Sequence, residues 1–271
     1  MPREALALLL LATLLVGACS RLTFVRPDPG RDSFRQVAPD VTVRESRDAE
    51  RRVSARNRLL LAQRDLAGGD LAKAEASARQ ALRLDPTSAD AHTLLAVIAE
   101  RRGQAGRAGE HYRAAADLTP RQGAVLNNYG AWLCAQGRAA ESLDWFDRAL
   151  ADPAYPTPAA ALANSGACAL TAGDPARAER HLRAAIGLDP ENPVALAALA
   201  RMAYDAGRYL EARAFSQRRL AAAPADAETL VLASQIEQKL GDMAAAAGYV
   251  RRLREEFPGT VPANPGDSRQ Q

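Results

Sequence analysis

The chain has 271 residues, a formal net charge of +3, and aromatic residues at only 5%. Alanine and leucine are frequent and long β-branched runs are nearly absent, which points to an all-α fold. The basic excess is small, arginines alternate with acidic residues, and no basic patch is interleaved with aromatics. No nucleic-acid partner follows from such a pattern, and the arginines are read as solvated helix faces.

Residues Ala5 to Val16 form an unbroken apolar run, ALALLLLATLLV. It is too short to span a bilayer as a mature helix but suits the apolar core of a signal peptide. It ends in Val16-Gly17-Ala18-Cys19. Small residues just before a cysteine resemble the bacterial lipoprotein signal, in which that cysteine is lipidated and becomes the new N-terminus. Residues 1–18 are therefore expected to be a signal peptide and Cys19 the lipidation site. The alternative is an ordinary secretory signal cleaved elsewhere, with Cys19 incidental. Each buried methylene contributes about 0.8 kcal/mol, so more than one acyl chain anchors stably. Ser20 follows the cysteine, and by resemblance to lipoprotein sorting rules it points to the outer membrane, with the protein's body in the periplasm.

Residues 19–52 hold Pro27, Pro29, Gly30 and Pro39 among charged residues without periodicity, and are expected to form a flexible arm. Residues 259–271 are expected to be a disordered tail on the same compositional ground. Between them the chain repeats. Glycines fall at Gly69, Gly103, Gly137, Gly173, Gly207 and Gly241, at spacings of 34, 34, 36, 34 and 34. Pro86, Pro120, Pro190, Pro224 and Pro258 each follow one of these glycines by 17 residues; only the third unit lacks this proline, and it carries two extra residues. A 34-residue period with a mid-unit glycine and a closing proline is the tetratricopeptide signature. Six units are expected within residues 53–258, near 55–88, 89–122, 123–158, 159–192, 193–226 and 227–258. Each glycine ends a first helix. Asp70, Asp174 and Asp242 can cap the second. The helix pairs should stack into a right-handed superhelix, with the first helices lining a concave groove.

Partner-binding candidates come from the groove-facing positions. One set is Leu59, Gln63, Leu66, Thr93 and Val97 in the first two units. The other is Asn127 with Trp132 in the third, where both tryptophans of the chain, Trp132 and Trp145, lie with Tyr129 and Phe146. Such an aromatic cluster is either an anchor for a partner or a bulkier local core. Asn128 and Asn164 are candidates for a bond between helices. Cys134 and Cys168 lie 34 residues apart where the unit step is 36, which sets them at nearly equal heights on adjacent first helices. In an oxidising compartment that favours a disulfide; two buried free thiols are the alternative.

No chemistry emerges beyond this. His111 and His181 occupy the same place in their units, which a repeat-surface position explains better than a metal site. No metal-ligand cluster, nucleophile elbow or phosphate loop appears, so neither a metal, a cofactor nor an enzyme is expected.

The segment Asn127-Asn128-Tyr129-Gly130, with Leu133-Cys134 and Gly137-Arg138, then Asn164, Gly166 and Cys168 in the next unit, resembles the pilotin lipoproteins of type IV pili, the PilF/PilW family. The resemblance covers most of the chain outside the arm and tail. It implies a lipoprotein carried by the lipoprotein export machinery, which helps the outer-membrane secretin of the pilus system reach its membrane and form its ring. The same lipid signal and repeats would also serve an adaptor for another envelope assembly machine, such as outer-membrane protein insertion or peptidoglycan synthesis.

Overall fold

The computed structural model describes residues 46–259. The signal peptide, Cys19 and most of the arm and tail lie outside these residues. Among the described residues there are twelve helices and no strands. They pair as α1 (Arg47–Ala67) with α2 (Leu71–Leu84), α3 (Ala89–Arg101) with α4 (Ala105–Leu118), and α5 (Gly123–Ala135) with α6 (Ala139–Leu150). The second half pairs α7 (Pro158–Thr171) with α8 (Pro175–Leu188), α9 (Pro193–Asp205) with α10 (Tyr209–Ala222), and α11 (Ala227–Leu240) with α12 (Met243–Glu256). None is long and apolar enough to cross a membrane.

The periodic residues do local work. All six periodic glycines have positive φ, between 69° and 81°, a conformation that costs other residues strain. Asp70, Asp174 and Asp242 accept from the amides of Lys73, Arg177 and Ala245 and so cap α2, α8 and α12. These caps satisfy amides that the first helical turn leaves unpaired. Pro175 opens α8, where its missing N–H is no loss. One boundary differs from the sequence reading. The first helix starts at Arg47, so residues 47–52 are helical rather than part of a flexible arm. Ser46 caps it by accepting from Ala49, and Asp48 and Glu50 sit in its first turn, where the helix dipole favours acids.

The first helices of successive units touch one another, whereas the second helices touch only first helices. The first helices therefore form an inner row and the second helices an outer one, the arrangement of a tetratricopeptide superhelix. Small residues make the close approach possible: Ala62, Ala96, Gly130, Gly166, Ala200 and Ser234 are buried on the inner row, and Ala74, Ala108, Ser142, Ala178, Ala212 and Ala246 on the outer. Phe146 fills the space over Gly130, and Leu182 that over Gly166.

Many arginines prove to be more than solvated faces. Arg101 donates to the carbonyl of Leu66, and Arg102 reaches Glu75 and the carbonyl of Leu71 in the preceding unit. Arg177 donates to the Leu143 carbonyl and to Asp147. Arg148 and Arg218, in matching register, donate to the carbonyls of Pro120 and Pro190. Much of the basic residue content stitches one unit to the one before it.

Candidate partner-binding surface

The first candidate set is largely consumed by packing. Leu59 and Leu66 on α1 are buried in the cluster that holds Leu94 and Ile98, with Val97 packed against it. Thr93 is half-buried, and its hydroxyl has no partner among the described residues. Gln63 alone of the set is exposed. The apolar groups that α1 offers to solvent are instead Val53 and Leu60, 56% and 58% exposed.

Asn127 and Trp132 do not share a face. Asn127 is 8% exposed and its Oδ1 accepts from Asn164 Nδ2 at 3.0 Å, toward the following unit. The interhelical amide pair is thus Asn127 with Asn164, not Asn128. Trp132 points toward the preceding unit and covers Gly109 on α4, where a β-carbon would lie 2.3 Å from the indole. Its indole is stacked on Tyr129 at 5.9 Å, and Tyr129 meets Trp145 edge-on at 4.6 Å. Arg148 lies over Trp145 at 4.2 Å, a cation–π contact. The aromatic cluster is mostly a seam between the second and third units. The signal for it was Gly109, a gap in one helix matched by an indole in the next.

The third unit replaces its missing proline with two contacts. Asp152 accepts from the amide of Gly123 at 2.8 Å and from that of Ala154 at 2.9 Å. These donors hold its carboxyl below the usual carboxylate range. Gln122 gives α5 no side-chain cap, so Asp152 supplies one from the far end of the unit. Tyr155 is buried against Gly123. Across the next boundary Cys134 on α5 and Cys168 on α7 form a disulfide, with α-carbons 5.9 Å apart.

The histidines are half-buried rather than on an open repeat surface. His92 and His111 bring their Nδ1 atoms to 3.1 Å, and His181 Nδ1 lies 3.0 Å from the hydroxyl of buried Ser165. Burial pushes all three imidazoles below the ordinary histidine value. Among the described residues no group of three or more His, Cys, Asp or Glu is placed to hold a metal ion.

A surface that sequence reasoning missed lies on the inner row of the last three units. A trough of about 530 Å3 runs between α7, α9, α10 and α11, with Leu170, Val194, Ala197 and Leu232 in its lining. Alanine-rich helices conceal it, because an alanine facing a groove and one facing a neighbouring helix read alike. Val194, apolar and 42% exposed at the start of α9, is the visible trace.

The stacked helix pairs with a lined inner row define a tetratricopeptide scaffold, and tetratricopeptide-repeat models match residues 59–123 and 169–230. The chain is 30% identical over 193 residues to the type IV pilus assembly protein PilF of Pseudomonas aeruginosa, covering 71% of this chain and 77% of PilF. The crystal structure of PilW, described as a widely conserved type IV pilus biogenesis factor, aligns with a TM-score of 0.68 at 33% identity, over 76% of this chain and 94% of PilW. The structure of Pseudomonas aeruginosa PilF aligns with a TM-score of 0.68 at 29% identity, over 78% and 95% of the two chains. The chain belongs to the PilF/PilW family of type IV pilus biogenesis tetratricopeptide proteins.

Proposed function

We propose that this protein is an outer-membrane lipoprotein, anchored through Cys19, that promotes the localisation and multimerisation of the pilus secretin. The kinship with PilF across most of both chains carries the reading. Support also comes from the Val16–Cys19 lipoprotein signal and from a body built as a protein-binding array. On this reading the lipid takes the complex along the lipoprotein export route while the inner row holds a secretin segment. Tethering raises the effective concentration of secretin at the membrane, so no catalytic step is needed.

The test is to extract outer membranes from a strain lacking the protein and to separate the heat-resistant secretin multimer on a gel. Loss of multimer on deletion, restored by the wild type and not by Cys19→Ala, is the expected result. Normal multimer in the outer membrane of the deletion strain would overturn the secretin role.

A further inference from the structure

The trough of the fourth to sixth units has a largely apolar lining and, among the described residues, two charged side chains without an ion pair, Arg201 and Glu228. Arg219 is neutralised by Asp226 at 2.9 Å and also donates to the carbonyls of Ala223 and Pro224 at 3.2 Å. Glu228 is exposed in the first turn of α11, where the helix N-terminus favours a carboxylate. Arg201 on α9 differs from both. It is half-buried in the trough wall and makes no ion pair or hydrogen bond among the described residues. Its guanidinium lies 5.9 Å from the centroid of the Tyr204 ring, at the outer limit of a cation–π contact. A partly desolvated charge without a counter-ion or hydrogen bond is costly, and a guanidinium pairs best with a carboxylate, through two parallel hydrogen bonds.

We propose that this trough binds an apolar segment of a partner protein bearing one acidic side chain, whose carboxylate meets Arg201. Leu170, Val194 and Leu232 would take the apolar side chains. The alanines of the floor let the bound backbone come close. The inference rests on the scaffold reading above and specifies the chemistry of one ligand.

A random dodecapeptide phage library panned on the immobilised full chain in detergent tests it. The enriched peptides are expected to be mainly apolar and to share one Asp or Glu. The best of them, labelled and followed by fluorescence anisotropy, should bind Arg201→Gln at least about tenfold more weakly. Panning on Arg201→Glu should select Lys or Arg in place of the acid. Far-UV circular dichroism of both variants establishes that they fold. Enrichment without a shared acid, no enrichment at all, or equal affinity for wild type and Arg201→Gln would overturn the proposal. So would self-association of the chain abolished by Val194→Glu, which would assign the trough to a second copy. The secretin experiment is independent of this one. If panning fails and the multimer still depends on the protein, only the trough assignment falls. If panning succeeds and the multimer is unaffected, the trough stands and the secretin role falls.

Discussion

Breaking the Cys134–Cys168 link offers a direct measure of how the array is held together. The bond joins α5 to α7 across a sequence separation of 34 residues. Constraining an unfolded chain over a loop of that length stabilises the folded state by about 3.8 kcal/mol in the chain-entropy model. Replacing both cysteines with alanine removes the cross-link, keeps good helix formers in both helices and leaves no free thiol. Cys168 is buried and Cys134 half-buried, so the lost sulfur packing adds modestly to the loss. Urea unfolding of the chain from Ser20, followed by circular dichroism, should give the double variant a stability roughly 3 to 4 kcal/mol below the oxidised wild type. Reduced wild type should lie close to the variant. The m-value should rise slightly once the cross-link no longer compacts the unfolded chain. Oxidised and reduced protein within about 1 kcal/mol of each other would refute the loop argument, given the 3 to 4 expected. Two titratable thiols in unfolded, non-reduced protein would refute the pairing itself.

Other perturbations follow from the same structure. Gly166→Ala places a β-carbon 2.5 Å from Leu182 Cγ and 3.1 Å from the Leu182 amide nitrogen. Because a backbone atom cannot swing aside, a loss of about 1–3 kcal/mol is expected, and an unchanged urea midpoint would contradict it. In a double-mutant cycle, Asn127→Ala and Asn164→Ala should show a coupling of about 0.5–1.5 kcal/mol; strict additivity would mean the amides do not pair. The histidines predict a pH dependence. Burial first, then the charges of His92 and Arg107, lowers the folded value of His111; burial and then Arg177 lowers that of His181, and burial lowers that of His92. In the unfolded chain they titrate at an ordinary value near 6.5, so the unfolded state takes up protons first as pH falls. Stability should be full above about pH 7, fall as pH drops through about 6.5, and level off below the folded values. Urea midpoints at pH 7.5 and 5.5 should differ less in a His92→Gln, His111→Gln, His181→Gln variant than in the wild type.

How much of this was legible in the amino-acid sequence depends on whether a residue's role is periodic. The mid-unit glycines and the small residues at the helix crossings recur every unit, and the Asp caps recur in three of the six, so period alone assigned them to turns, contacts and caps. The start of α1 escaped because nothing periodic runs through residues 47–52; the cap at Ser46 and the acids at 48 and 50 were the available signal. Leu59 and Leu66 were placed on a free groove because their register is groove-facing in the array. At the first unit the neighbouring α3 closes over them instead. Trp132 was grouped with Asn127 by nearness in sequence, yet five residues along a helix turn the side chain well over a quarter-circle away. The inter-unit roles of Arg101, Arg148 and Arg177 were invisible, since a side chain reaching a backbone carbonyl in another unit leaves no trace in composition.

The period fails at one place, and that is where the non-periodic contacts gather. Residues 151–157 connect α6 to α7, whereas residues 189–192 suffice between α8 and α9. A longer connection specifies the stacking of the fourth unit on the third less tightly. At this joint the chain adds the cap from Asp152, the buried ring of Tyr155, the Asn127–Asn164 pair, the Arg177–Asp147 ion pair and the disulfide. Each acts on α5, α6 or α7, and three of them tie the third unit to the fourth. Since units contact mainly their neighbours, the angle at a single joint sets how the inner row of the first three units is placed relative to that of the last three. A scaffold that engages partners on both stretches needs that angle constant, and a covalent bond between the inner helices holds it where neither the glycine period nor the proline does.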